Sequence, residues 1–423
     1  MIRRIPNVRW WIVGMLFIAT VINYVDRQAL SILAREIQNA LHMSDLGYSV
    51  VVQAFLVAYT LGYLLAGRVT DYLGTRLSMA VFIGWWSIAN MLTAVAQNVL
   101  SLGVFRFLLG LGEAGNYTGY TKAISEWFPP HERGLAFAVC TAGATTGATV
   151  AAPVIAILGA QYGWRATFVL TGMLGLLWVV PWLLLHRSAG KHQLTIDREN
   201  MDSSSLARSS ILGLEGDSEW QRWKHMLVDT NTWLLALARF LTDPVWYFYV
   251  FWFPKYLMDS RSMSLIRVGE LAWVVYLAAD VGTIWGGWAS GLLIKRGMPP
   301  VSARKRIMVI AALFVPLSPL VAFAPTVTIA LCVASVVVLA QLAWQVSLAT
   351  LIIDIYPQRF VATVFGIITA GSGLGGFLST IAVGHLVTHF SYKPVFVLMA
   401  FLHPCALLLL WRLRTPLSRE LQV

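Results

Sequence analysis

The chain has 423 residues, of which 58% are apolar and only 12% charged, with 18 Trp and a mean hydropathy of +0.69. A soluble domain carries roughly 25% charged residues, so a surface built to face water is excluded. The net charge of +11 is divided among short connections instead of being gathered on one polar face, which argues against a nucleic-acid-binding protein.

Apolar stretches of about 20 residues, enough to cross a ~30 Å hydrocarbon core, recur along the whole chain. In order, spans are predicted over 10–32, 47–67, 77–97, 99–122, 134–161, 165–187, 230–258, 267–293, 303–324, 326–354, 361–388 and 392–412. The first shows no small-residue cleavage site and more spans follow it, so it reads as a span and not as a signal peptide. Residues 188–228 form the long polar stretch of the chain and read as a linker, with Trp220, Trp223 and Leu227 on one face of an interfacial helix. The predicted fold is an all-α membrane protein with twelve transmembrane helices: a six-helix bundle over 1–187, the linker, and a second six-helix bundle over 229–423. Cys140, Cys332 and Cys405 lie apart in apolar segments and read as packing or lipid-facing residues.

With twelve spans, Arg3, Arg4, Arg9, Arg68, Arg76, the cluster Lys295, Arg296, Arg304, Lys305, Arg306, and Arg412, Arg414 and Arg419 fall on one side. Arg35, Arg165, Lys255, Arg261, Arg267 and Lys393 fall on the other. The positive-inside rule then places both termini in the cytoplasm.

The two halves repeat. An offset of 228 aligns Glu126-Trp-Phe-Pro with Asp354-Ile-Tyr-Pro, Gly143 with Gly371, Gly147 with Gly375, Trp164 with Tyr392, and Phe168-Val-Leu with Phe396-Val-Leu. An offset of 220 pairs Gly62 with Gly282, Gly67 with Gly287 and Arg76 with Arg296. Two pseudo-symmetric parallel halves of six helices are the organisation of major facilitator transporters, whose substrates bind at the midplane. The glycine runs suit close helix approach, since lipid gives helices no hydrophobic drive to associate.

An ionisable residue in a span costs roughly 2.5 to 3.5 kcal/mol on insertion scales and is a site candidate until a partner explains it. Span one carries Asp26 and Arg27; span four carries Arg106 and Glu113, two turns apart on one face, extended by Asn116, Tyr117 and Tyr120. Thr20, Tyr24 and Arg27 follow a helical rhythm, and Tyr59 adds a hydroxyl from span two. One reading is mutual neutralisation, Asp26 with Arg106 or Glu113 with Arg27. The other is a fixed positive site for a carboxylate beside carboxyls that burial makes easier to neutralise, as proton coupling requires. Position 113 maps on Gln341 and 106 on Ala334, so the second half has lost the charge. It offers Gln341, Trp344, Gln345, Thr369 and Ser372, groups suited to hydroxyls and a pyranose face. Arg239 and Asp243 can satisfy one another at i, i+4 or serve a site; Asp280 is equally open and could meet Arg239. His385 and His389 have metal-like spacing without an evident third ligand, so no metal site is assigned.

The loop Gly67-Arg-Val-Thr-Asp71-Tyr-Leu-Gly74-Thr-Arg76 resembles the signature of the major facilitator superfamily, and Asp71 and Arg76 are read as gating residues. Within it, Asn23-Tyr24-Val-Asp26-Arg27, Arg106 with Glu113, Glu126-Trp-Phe-Pro-Pro-His-Glu-Arg133 and Arg239-Phe-Leu-Thr-Asp-Pro-Val-Trp-Tyr-Phe-Tyr resemble the anion:cation symporter branch, most closely its bacterial hexuronate and galactonate transporters. Sialin and the vesicular glutamate transporters are further relatives in that branch. The resemblance implies a symporter of the bacterial inner membrane in which Asp26 and Glu113 take up protons while Tyr24, Arg27 and Tyr59 bind carboxylate or hydroxyls. Arg106, Trp344, Gln345, Thr369 and Ser372 complete the candidate substrate set; members often carry Asn where Ser372 stands.

The expected substrate is a small anionic sugar acid, with protons as coupling ion, no other cofactor, a lipid bilayer as surroundings and a functional monomer. An uncoupled or Na+-coupled facilitator is an alternative. A drug/proton antiporter is less favoured, because Gly147 is followed by Ala148 instead of Pro. No nucleophile and base constellation points to an enzyme.

Overall fold

The computed structural model describes residues 8–200, 226–263 and 265–413, and the side chains of most of these; Trp220 and Trp223 of the predicted interfacial helix lie outside the described residues. Among the described residues all regular structure is helical. The main helices are α1 (Val8–Ile32), α2 (Asp45–Leu92), α3 (Val99–Trp127), α4 (Pro130–Asn200), α5 (Thr230–Phe251), α6 (Trp273–Lys295), α7 (Pro300–Phe314), α8 (Val327–Ile355), α9 (Val361–His389) and α10 (Lys393–Trp411).

Ten helices among the described residues are long and apolar enough to cross a membrane. One of them, Val50–Val95, is broken at Gly74. The 29-residue α3 is long enough but more polar, carrying Arg106, Glu113 and Lys122. Counting α3 and both arms of α2 gives the predicted twelve. The break in α4 falls at Gly163. Gly74 and Gly163 have φ of +72° and +77°; a Cβ there would crowd the following carbonyl, so glycine ends one span and starts the next without strain. Span seven is shorter than predicted, because α5 ends at Phe251 and a separate helix, Phe253–Arg261, begins with Pro254 near its first turn.

The chain divides into two compact units. The first is Met1–Phe128, Val139–Leu206 and Gln358–Gly366; the second is Pro129–Ala138, Ala207–Pro357 and Ile367–Val423. Each unit thus incorporates a short segment from the opposite sequence half. In the first unit, a Cβ on Gly67 would lie 2.2 Å from the Ala362 carbonyl oxygen, and one on Gly366 2.2 Å from that of Tyr63. Glycine on both sides lets 358–366 lie directly on α2.

The repeat is visible in the packing of each unit. In the first, Gly143 and Gly147 of α4 lie against the carbonyls of Phe17 and Val21 of α1; in the second, Gly371 and Gly375 of α9 lie against those of Ala236 and Phe240 of α5. Small residues therefore set the backbone approach at matching places. Val25, Ala29, Leu30, Val51, Leu102, Ile155, Trp164 and Phe168 form a buried apolar cluster in the first unit beside its charged residues. Leu65, Leu177, Leu184, Phe377 and Phe401 are exposed, as lipid-facing side chains must be, and so are Cys332 and Cys405, while Cys140 is buried.

Candidate functional site

In the first unit, α1 and α3 bring their charges together. Arg27 donates from Nε (2.9 Å) and Nη2 (2.7 Å) to Oε2 of Glu113 and from Nη2 to Asn23 Oδ1. Its guanidinium centre lies 4.5 Å from the ring centroid of Tyr59, 4.7 Å from Tyr24 and 5.3 Å from Phe55. Three electron-rich rings and one carboxylate hold the cation. Glu113 is fully buried, and its Oε1 has no hydrogen-bond partner. Of the two neutralising pairs considered from sequence, the structure forms Glu113 with Arg27.

Asp26, one residue along α1, points elsewhere because successive helical side chains are turned by about 100°. Its Oδ1 accepts from Asn90 Nδ2 at 2.8 Å, which also reaches Thr171 Oγ1 at 2.8 Å, and its Oδ2 has no partner. Arg106 is fully buried with its guanidinium 4.7 Å from the Phe168 ring centroid, and its Nε and Nη2 make no hydrogen bond. A buried cation with undirected donors and two carboxylates each with an open oxygen form an unusual grouping, since buried polar atoms are nearly always paired. Asn116 donates to Thr20 Oγ1 and Tyr63 to Tyr59 Oη, continuing the polar stripe. Sequence patterning missed Asn90, which no periodic or charge signal marks.

Asp71, on α2, accepts from Lys122 Nζ at 2.7 Å and from the backbone N–H of Thr363 at 2.6 Å and Ala362 at 3.4 Å. Lys122 also donates to the Gln358 carbonyl. Asp71 therefore holds the first turn of α9, where free backbone N–H groups favour an anion. Arg76 does not join it; its Nη2 donates to the Leu183 carbonyl and its own carbonyl accepts from Trp182, so it ties α2 to α4. Lys122 was not singled out from sequence, although a buried lysine in α3 is the kind of residue that demands a partner.

In the second unit, Arg239 donates to Asp243 Oδ2 at 2.9 Å and to Thr369 Oγ1 at 3.0 Å, while Gln345 Nε2 donates to Asp243 Oδ1 at 3.2 Å. The i, i+4 pair left open from sequence thus joins two predicted site residues, Gln345 and Thr369, in one chain. Ser372 is buried on α9 without joining it. Trp344 departs from expectation: it is fully buried and meets His403 of α10 edge-on, with ring centroids 5.0 Å apart, while its neighbour Gln345 occupies the more open face. Nearer the end of α8, Asp354 accepts from Arg133 at 2.7 Å and from Arg304 at 3.1 Å, and Arg304 also donates to Ser290 and to the Pro130 carbonyl. The carboxylate of the repeated motif and the arginine of Pro-Pro-His-Glu-Arg133 are therefore partners.

Residues 16–345 and 291–422 match the sequence model of the Major Facilitator Superfamily. A hexuronate transporter of Escherichia coli K12 is 27% identical over 412 residues, 97% of this chain and 94% of that protein. A galacturonate transporter of Dickeya chrysanthemi is 32% identical over 313 residues, 73% of this chain and 90% of that one. A D-galactonate transporter of Escherichia coli O6:H1 is 25% identical over 402 residues, 92% of this chain and 91% of that one. Among solved structures, a proton:xylose symporter of the same superfamily superposes with a TM-score of 0.73 at 16% identity, covering 96% of both chains. A human organic anion transporter gives 0.68 at 17% identity, covering 96% of this chain and 100% of that one.

Proposed function

The chain belongs to the Major Facilitator Superfamily, and on that premise we propose that it carries a hexuronate or a related sugar acid together with protons by alternating access. It is a multi-pass membrane transporter and not an enzyme. The reading adds the inner membrane of a bacterium, after the bacterial transporters the chain resembles, and both termini cytoplasmic, after the distribution of Lys and Arg.

The observation that carries the proposal is the Arg27–Glu113 pair beneath Tyr24 and Tyr59. Glu113 occupies two donors of a guanidinium that a substrate carboxylate would instead bind with both of its oxygens, as a fork. Protonation of Glu113 removes its claim on Arg27 and releases those donors; the arriving carboxylate replaces it. Proton and anion then load together, and leaving the carboxylate site restores the internal pair. The open oxygen of Glu113 is the place for that proton, and Asp26, with Oδ2 unpartnered, is the second carrier. The transporters named for hexuronate, galacturonate and D-galactonate support a substrate bearing one carboxylate and several hydroxyls. In the second unit, the hydrogen-bonded group of Gln345, Asp243, Arg239 and Thr369 has the donor and acceptor chemistry that hydroxyls pair with.

The test is uptake of labelled glucuronate and galacturonate into proteoliposomes, with and without an inward proton gradient, for wild type and Glu113→Gln. Accumulation driven by the gradient, lost in Glu113→Gln while counterflow exchange persists, is expected. Uptake indifferent to the gradient would leave a facilitator, and dependence on Na+ in place of H+ would reassign the coupling ion.

A further inference from the structure

Apart from the Arg27–Glu113 and Arg239–Asp243 groups, α7 and α10 of the second unit border a groove of about 320 Å³ lined by Ser302, Lys305, Arg306, Met308, Val309, Leu407, Leu410 and Trp411. Its chemistry is graded. Ser302, Lys305, Arg306 and Val309 follow i, i+3, i+4, i+7 and share one face of α7, whereas the preceding Arg304 turns inward to Asp354. Leu407, Leu410 and Trp411 present the last turns of α10 in the same rhythm. The groove therefore has a hydroxyl and two cations on one wall and an apolar opposite wall.

Lys305 and Arg306 lie in the first two turns of α7, which begins at Pro300, and Trp411 ends α10. That depth is where the hydrocarbon gives way to headgroups, and a Trp there is a membrane-interface residue. Lys305 and Arg306 both line the groove, and no hydrogen bond or ion pair to either occurs among the described residues. A basic pocket between spanning helices with an apolar channel beside it matches a phosphate headgroup and the start of an acyl chain.

We propose that this groove is a binding site for one anionic glycerophospholipid, its phosphate held by Ser302, Lys305 and Arg306 and an acyl chain laid along Leu407, Leu410 and Trp411. Occupancy bridges the start of α7 to the end of α10 and is independent of the solute carried.

Native mass spectrometry of the full chain, purified in detergent and delipidated, tests this with palmitoyl-oleoyl phosphatidylglycerol and the matching phosphatidylcholine. Wild type is expected to retain phosphatidylglycerol preferentially. Lys305→Gln and Arg306→Gln should each lower that preference about five-fold, the worth of one basic residue near an anionic surface. Leu407→Trp, which fills the apolar wall and keeps both charges, should also lower retention, whereas Arg296→Gln, outside the groove, should not. Equal retention of the two lipids by wild type, an unchanged preference in the double Gln variant, or displacement of the lipid by millimolar inorganic phosphate alone would overturn the site.

Discussion

Nε and Nη2 of Arg27 converge on a single oxygen, Oε2 of Glu113, and leave Oε1 of that buried carboxylate without a partner. A forked ion pair usually engages both oxygens, because two parallel hydrogen bonds satisfy both groups. One-sided pairing keeps Arg27 held while leaving a free oxygen on its counter-ion.

Arg27→Lys retains the charge but loses the planar fork and its stacking on Tyr24 and Tyr59. Loss of one charge-assisted hydrogen bond is worth about 1.5 to 3 kcal/mol, or roughly ten- to a hundred-fold in affinity. The apparent KM for glucuronate should rise by that factor in proteoliposome uptake, with protein abundance unchanged.

Asp71→Asn removes the anion held by Lys122 and by the first turn of α9. The segment 358–366 should then separate from α2 more often. In a background with Cys332 and Cys405 replaced by Ser, Thr363→Cys should react slowly with a maleimide, since Thr363 is buried, and several-fold faster when Asp71→Asn is added. Arg76→Ala should not reproduce this acceleration, because Arg76 bonds to α4 instead.

Arg304→Ala leaves Asp354 with Arg133 and strips donors from Ser290 and the Pro130 carbonyl. Because Asp354 keeps Arg133, the loss falls below the ~3 to 5 kcal/mol that a fully unpaired buried charge costs. The thermal midpoint in detergent should fall clearly, whereas a change at exposed Arg296 should leave it nearly unmoved.

Gly74→Ala forces a Cβ into a φ of +72°. The cost is about 1 to 2 kcal/mol, visible as a lower thermal midpoint, with no clash, since nothing lies within 4 Å of the added Cβ.

The amino-acid sequence by itself determined the number of spans, the internal repeat and the stripe of charges on α1 and α3. Each depends on a local quantity: twenty apolar residues, a constant offset, a helical spacing. The sequence also restricted the possible partners of Arg27, Glu113, Asp26 and Arg106 to a few. Which of them pair was decided only by the tertiary structure, because pairing depends on how each helix is rotated about its axis. That rotation sends Arg27 to Glu113 and Asp26 to Asn90, turns Trp344 toward His403 instead of beside Gln345, and draws Lys122 to Asp71. Packing of side chains and glycines sets it, and no pattern within a single helix encodes it.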